Sequence, residues 1–350
     1  MKEFKIANRW IGPNHKPFII AEMSGNHNQS LERALAIVDA AAEAGADAIK
    51  LQTYTADTMT INAKHGLFNI DDDSSLWKGH NLYDLYQLAY TPWDWHAKIF
   101  DRAKEHGMIA FSSPFDSTSV DFLETLNVPV YKVASFENTD MPLLRKIAET
   151  GKPVIMSTGV TNLSDIDESV RTLRKYGCKD LVLLKCTSTY PATPETCNID
   201  TIPHMEQMFE GVSVGLSDHT MGIGVPLAAI GLGACVVEKH FTLSRADGGV
   251  DSAFSLEPHE LKSLVIEAER AFLAKGKVSY GIQASEENSR KFKRSIYVVN
   301  DIEEGETFSP NNLRVIRPGD GLEPKHFETI LGKTARKNIK AGTPLSWEEL

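Results

Sequence analysis

The feature that most limits how this chain can fold is a long-range alternation. Eight apolar runs of strand length recur between Phe18 and Phe241, with amphipathic helical patterns between them. They read FIIAEMS from Phe18, DAIKLQT from Asp47, MIAFSSP from Met108 and VYKVASF from Val130. PVIMSTG from Pro153, LVLLKCTS from Leu181, VSVGLSDHTMG from Val212 and CVVEKHF from Cys235 follow. The first helical segment, LERALAIVDAAAEAG, has Ser30 as N-cap and Gly45 just past its end. A long irregular insert after the second run leads to a helix near TPWDWHAKIFDRAKEHG, and PHELKSLVIEAERAFLAKG closes the series. Eight strand–helix units in about 260 residues predict an α/β protein built as a (β/α)8 TIM barrel. A doubly wound open sheet is the alternative, but the chain lacks the GxGxxG fingerprint of that fold.

In such a barrel the active site lies at the C-terminal ends of the strands. Those ends are where this sequence turns polar: Glu22 and Ser24, Lys50 and Gln52, Ser112 and Ser113, Lys132 and Ser135. Ser157 and Thr158, Ser188 and Tyr190, Ser217 to His219, and Glu238 with His240 continue the pattern. Residues two apart on a strand share a face. Ser217 therefore goes with His219, Glu238 with His240, and Lys50 with Gln52. Closure would set strand eight between strands seven and one, bringing His219, His240 and Glu22 to one rim. Two imidazoles and a carboxylate can hold a divalent cation with positions left for substrate. Barrel histidines are also often plain hydrogen-bonded structural groups; the shared rim favours the metal here.

A second cluster is cationic and hydroxylic. Lys50 and Lys132 point into the barrel, with Ser113, Ser135, Ser157 and Ser217 at similar depth. Inward lysines are costly unless an anion meets them, and these suit a phosphate plus a carboxylate. The competing reading is an ion-pair network with Glu22, Glu137 and Glu238, plausible for one lysine and poorer for two. Lys185 on strand six could suggest a Schiff-base aldolase. Its parity relative to Ser188 does not place it inside, and a rim or helix-facing position is favoured. In the loop RADGGVDSAFSLEP, Asp251 is balanced between substrate and turn roles, whereas Asp247 reads as a turn residue. Asp218 has the opposite parity to His219, which points to a supporting or helix-capping role.

Residues 276–290 read as a polar, aperiodic linker, dividing a barrel domain at 1–275 from a small domain at 291–350. The latter holds an internal repeat. DIEEGETFSPNNL and NIKAGTPLSWEEL align Ile302 with Ile339, Gly305 with Gly342, Ser309 with Ser346 and Leu313 with Leu350. Ser346 and Glu349 form a capping box, and a small two-fold-like β domain is expected. A net charge of −10 argues against nucleic-acid binding. No apolar leader opens the chain and no run reaches membrane-spanning length, so a cytoplasmic location without membrane attachment is expected. The four cysteines lack CxxC spacing and read as free thiols.

Several stretches together resemble the sialic acid synthase family: FIIAEMSGNHNQS, IKLQT, YKVAS, KPVIMSTG, CTSTYPATPE, GLSDHT, VVEKHFT and the C-terminal IRPGDG. The tail resembles that family's antifreeze-like (SAF) β-clip domain. The resemblance implies condensation of phosphoenolpyruvate with an open-chain amino-sugar aldehyde, giving a nonulosonic acid and phosphate. AEMSGNHNQSLERAL, LQTYTADTMT, SLWKG, ASFENTD and FTLSRADGGVDSAFSLEP look most like the branch whose sugar is 2,4-diacetamido-2,4,6-trideoxy-L-altrose. N-acetylneuraminate- and legionaminate-forming branches are the alternatives. The resemblance also implies a divalent cation, Mn²⁺ or Mg²⁺, with His219 and His240 at the ligand positions. Lys50, Ser113, Lys132, Ser135, Ser157, Ser188 and Ser217 match the phosphoenolpyruvate shell. Glu22, Gln52, Glu137, Tyr190 and Asp251 match sugar-facing or catalytic positions. Arg317 matches an arginine that the tail of one subunit places over its partner's barrel in a domain-swapped homodimer. Ser113 stands where a Thr is common, and Ser188 where an Asn is common. A Schiff-base aldolase and a non-catalytic carbohydrate-binding protein are the readings from other classes.

Overall fold

All eight expected strands form, each shorter than the apolar run that announced it. The computed structural model describes residues 2–73 and 75–350, in two units, Met1–Gly276 and Lys277–Leu350. The first opens with an antiparallel hairpin, β1 (Phe4–Ile6) and β2 (Arg9–Ile11). The barrel strands follow: β3 (Phe18–Glu22), β4 (Ala48–Thr53), β5 (Ile109–Pro114) and β6 (Tyr131–Val133). β7 (Val154–Ser157), β8 (Leu181–Cys186), β9 (Ser213–Asp218) and β10 (Val236–His240) complete it. All pair in parallel, and β10 bonds to both β9 and β3, which closes the sheet.

The two-residue period sorts every strand. Outward side chains such as Ile19, Ile49, Leu51 and Val237 pack on Ala34, Ile37, Val38 and Ala41 of the helix Leu31–Ala44. Inward side chains change character with height. Phe18, Ile20, Ala48, Phe111, Val130, Ile155, Val182 and Val236 form an apolar lower layer. Above them, the same inward rows continue as Glu22, Lys50, Ser113, Lys132, Ser157, Ser217 and Glu238, all buried. The helix Leu31–Ala44 begins and ends as expected. Ser30 accepts from the Arg33 amide, and Gly45 adopts φ 88°, a left-handed conformation that glycine takes without strain.

The hairpin was not foreseen, because two three-residue strands carry too little pattern. Its Phe4, Ile6 and Ile11 join the apolar lower layer and cover the end of the barrel opposite the polar rim. Arg9 latches it: its Nε lies 2.9 Å from Asp47 Oδ1, and Asp47 Oδ2 accepts from the Ile19 amide at 2.9 Å. The insert after β4 also holds more order than expected, with short helices at Ala56–Met59 and Leu82–Ala89.

In the second unit, β11 (Ser295–Val298) pairs antiparallel with β12 (Leu313–Ile316). The repeat is a structural pseudo-dyad. Ile302 and Ile339, aligned in the two copies, exchange both backbone hydrogen bonds at 2.8 Å. Gly305 and Gly342 turn with φ 86° and 89°. Their amides donate to Ala335 and Val298, which are themselves repeat-mates, at 2.8 Å each. Ile296, Phe308, Leu313, Ile330 and Leu345 fill the core between the copies. The Ser346–Glu349 capping box forms, whereas in the first copy Asn312 Oδ1 caps the Ser309 amide and no helix follows. The stretch Ala284–Phe292 preceding this core is an exposed 3₁₀ turn.

Truncating Ile6 to Ala should remove a fully buried plug side chain. Urea unfolding is expected to show a loss of about 3 kcal/mol, with kcat of the folded fraction unchanged, because the plug lies at the end away from the polar rim.

Candidate active site

Strand register assembles the rim. β10 sets His240 beside Glu22 and Glu238 beside Ser217; β3 sets Glu22 beside Lys50; β4 sets Gln52 beside Ser113. His219, one residue beyond β9, lies with its ring centroid 5.3 Å from that of His240. Glu22, Lys50, Gln52, Ser113, Lys132, Ser157, Ser217, His219 and His240 thus come from seven strands to one buried centre.

At its floor two lysines face two glutamates. Lys50 Nζ is 2.5 Å from Glu22 Oε2 and 3.8 Å from Glu238 Oε2, and Lys132 Nζ is 3.7 Å from Glu238 Oε1. Ser217 donates to Glu238 Oε1 at 3.0 Å, and Gln52 Nε2 donates to Glu22 Oε1 at 2.9 Å. The expectation that an ion-pair network would suit only one lysine needs correcting: both take part, and Glu137 does not. Glu238, absent from the expected site residues, is the hub, because it alone lies between the two ammoniums. Its inward parity with His240 was the available signal. Burial, opposed by Lys50 and reinforced by Glu238, pushes Glu22 up to about 7. Against the same burial, Lys132 and Lys50 hold Glu238 below the usual carboxylate range. The floor thus sets two lysines against two carboxyl groups, of which burial makes Glu22 the more readily protonated.

Beside this floor is a hydroxyl cradle. Lys132 Nζ donates to Ser157 Oγ at 2.7 Å, and Lys50 Nζ to Ser113 Oγ at 3.3 Å. The Gly159 amide donates to Ser135 Oγ at 3.2 Å. A Cβ at Gly159 would collide with the hydroxyls of Ser188 and Ser135. Asn138 pins the loop by donating to the carbonyls of Ser157 and Gly159 at 3.0 and 3.2 Å. The Ser135 and Ser188 hydroxyls therefore converge where a side chain has been left out, and with the Lys132–Ser157 pair on the neighbouring strands they offer the donors that an oxyanion requires. Gly159 was missed in the sequence because a glycine after a strand usually marks only a turn. Gly159→Ala should leave the melting temperature within a few degrees yet lower kcat/KM for the anionic substrate at least about a hundredfold, read by steady-state kinetics.

The histidines sit at the opposite side of the rim. His219 Nδ1 lies 2.9 Å from the Thr187 carbonyl, which can only accept, so Nδ1 carries a proton. Against burial, Cys186 and that carbonyl hold His219 above its usual range. His240 is pushed well below its usual range by burial and by the neighbouring His219, and its Nδ1 makes no hydrogen bond. Asp251 Oδ2 is 3.8 Å from that nitrogen and accepts from Ser24 Oγ. Burial raises Asp251, and the Ser24 hydroxyl opposes the shift. Two imidazoles and an adjacent carboxyl group are a donor set that fits a divalent cation with open positions. The closer cluster Glu257, His259 and Glu260 belongs elsewhere: it surrounds Arg245 at the start of the helix Pro258–Lys275, and His259 is exposed.

Tyr190 lies against His219 with ring centroids 4.4 Å apart and the planes tilted by 47°, and contacts Phe254 at 5.3 Å and Trp77 at 5.8 Å. These rings form an apolar wall beside the imidazoles. Ser24 holds a left-handed φ of 49°, a strained position that keeps its hydroxyl on Asp251. Asp251 thus belongs to the centre, whereas Asp247 pairs with Arg33 at 2.7 Å. Lys185 faces away from the barrel interior and bonds its own strand end, at the Cys186 carbonyl. Asp218 also faces outward, paired with Lys239 at 2.9 Å. Arg317 is exposed in the second unit, directly after β12. The four cysteines are free and buried.

Glu137 ends the turn Ser135–Glu137, and its Oε2 is buried without a hydrogen bond. Burial, opposed by Lys132, pushes its carboxyl up to about 7. A carboxyl raised on folding favours the folded state below its unfolded pKa, and that contribution is lost as pH rises from about 4.5 through 7. Glu137→Gln should therefore gain stability over the parent by about 3 kcal/mol on going from pH 4.5 to 8, measured by denaturant titration at each pH.

A closed barrel with two buried lysines, a hydroxyl cradle and an imidazole pair at one rim has the architecture of an anion-binding barrel enzyme. Residues 37–280 match the NeuB family and residues 293–350 the SAF domain. The chain belongs to the NeuB family. It is 43% identical to the pseudaminic acid synthase of Helicobacter pylori, over 95% of this chain and 98% of that one. To the pseudaminic acid synthase of Campylobacter jejuni it is also 43% identical, over 94% and 95%. The N,N'-diacetyllegionaminic acid synthase of Campylobacter jejuni is 37% identical over 93% and 97%. Among solved structures, the N-acetylneuraminic acid synthetase of Leptospira borgpetersenii, in complex with citrate, superposes with TM-score 0.74 at 32% identity, covering 82% of this chain and 95% of that one. No helix among the described residues is long and apolar enough to cross a membrane.

Proposed function

We propose that this protein acts as a pseudaminic acid synthase, condensing phosphoenolpyruvate with 2,4-diacetamido-2,4,6-trideoxy-L-altrose in its open-chain aldehyde form. Membership of the NeuB family makes it a phosphoenolpyruvate-dependent nonulosonic acid synthase. The similarity to the two pseudaminic acid synthases supports the choice of sugar. The observation that carries the reading is the juxtaposition of the Lys50–Lys132 floor and the Gly159 cradle with the His219–His240 pair.

The chemistry follows from what each group can hold. Lys50 and Lys132, with the hydroxyls of Ser113, Ser135, Ser157, Ser188 and Ser217, bind the carboxylate and phosphate of phosphoenolpyruvate. His219 and His240 would hold a divalent cation, Mn²⁺ or Mg²⁺, which supplies Lewis-acid polarisation of the aldehyde oxygen when bound. The enol carbon attacks the aldehyde carbon, whose oxygen takes up a proton. Positive character then develops at the phosphate-bearing carbon, and Glu22 stabilises it and orients the water that adds there. The tetrahedral adduct collapses with cleavage of the bond between carbon and the bridging oxygen, and phosphate leaves with that oxygen. Gln52 and Asp251, with Glu137 and Tyr190, face the sugar. The aromatic wall of Tyr190, Phe254 and Trp77 keeps bulk water from the activated carbon. A homodimer, in which Arg317 of one tail reaches the other barrel, and a cytoplasmic location complete the proposal.

Phosphate release is expected only when phosphoenolpyruvate, sugar and metal are all present, with a product of the nonulosonic acid's mass. ¹⁸O in the bridging position of phosphoenolpyruvate should appear in phosphate. N-acetylmannosamine and 2,4-diacetamido sugars of other configuration should react more slowly. A borohydride-trapped adduct with a keto acid, or no phosphate release with any sugar and metal, would overturn the reading.

A further inference from the structure

Behind the two histidines, on the helix-facing side of the barrel, lies a buried ion pair that the reaction does not use. Asp218 and Lys239 are registered neighbours on β9 and β10, and their side chains are 1% and 0% exposed. Lys239 Nζ donates to Asp218 Oδ2 at 2.9 Å and also to the Thr220 carbonyl. The Asp218 carboxylate accepts from the Thr220 amide at 3.1 Å and from the Thr220 hydroxyl at 2.9 Å. One ammonium therefore ties down the chain on both sides of His219, and it does so from the residue that immediately precedes His240. Each histidine's carbonyl is separately held, His219 by the Ala192 amide at 3.1 Å and His240 by the Leu256 amide at 2.8 Å.

Stability alone does not account for the pair. Taking two charges out of water is costly, and well-packed apolar residues of similar volume often serve the fold as well. The flanking outward positions, Leu216 and Val237, are filled in that way. A charge pair, unlike an apolar contact, also fixes direction, because its hydrogen bonds are satisfied at only one register of the two strand ends.

We propose that the Asp218–Lys239–Thr220 clasp is a positioning device that sets the spacing of the His219 and His240 imidazoles for a divalent cation. The clasp touches no substrate and acts through the two histidines. This inference rests on the reading of His219 and His240 as cation ligands, and the test separates the two. Mn²⁺ affinity is measured on the full chain without substrates, by the electron paramagnetic resonance of free Mn²⁺. Phosphoenolpyruvate affinity without metal is measured by tryptophan fluorescence. Removing both charges in Asp218→Asn/Lys239→Met avoids leaving one buried and unpaired. That variant should bind Mn²⁺ at least about tenfold more weakly, the scale seen when partners that orient metal ligands are lost, and phosphoenolpyruvate as tightly as the parent. Thr220→Val, which deletes a single hydroxyl, should weaken Mn²⁺ binding about threefold and answers the question if the double variant does not fold. Parental Mn²⁺ affinity in the folded clasp variants, or equal weakening of both ligands, would overturn the clasp. If His219→Ala and His240→Ala bind Mn²⁺ as the parent does, the ligand assignment fails, and the clasp with it.

Discussion

The pairing of β10 with both β9 and β3 is the constraint on which the rest depends. Without it the sheet would have two exposed edges, and His240 would have no Glu22 beside it. Closure turns a list of polar strand ends into a ring. Parallel register then fixes which of them touch, since a slip of one residue would send every inward group outward. Ser217 meets Glu238, Glu238 lies between the lysines, and Lys50 meets Glu22, because the ladders align them at those heights.

The closed barrel can carry this site because its lower half is apolar. Phe18, Phe111, Ile155 and their neighbours, plugged by Phe4, Ile6 and Ile11, supply burial that offsets the desolvation of four charged side chains above them. Those charges balance nearly pairwise, and burial makes Glu22 the more readily protonated of the two carboxyl groups. The imidazole side is arranged differently. There the groups are imidazoles, aromatic rings and one buried carboxyl, and the opposite faces of the same strands carry the Asp218–Lys239 pair.

Much of this was legible in the sequence because two of its signals are geometric. The eight apolar runs and the two-residue parity placed Glu22, Lys50, Lys132, Ser217, His219 and His240 on one rim. The repeat alignment of Ile302 with Ile339 marked the dyad at which those residues now exchange hydrogen bonds. What was not legible depended on contacts across strands of different register. The hub position of Glu238 and the steric need for Gly159 are properties of neighbours far apart in the chain. So are the outward pairing of Asp218 with Lys239 and the plug role of Phe4, Ile6 and Ile11. Asp251 could be weighed only evenly, since a loop residue has no parity to argue from.

The sequence by itself determined the barrel, its closure order, the two-fold tail and which strand ends carry polar side chains, because apolar period and strand parity are local properties that survive without coordinates. Only the tertiary structure decided which charges pair, which hydroxyls form a cradle and which imidazole nitrogen faces a carbonyl. Those outcomes depend on distances of a few ångströms and on burial, and both are set by all eight strands at once.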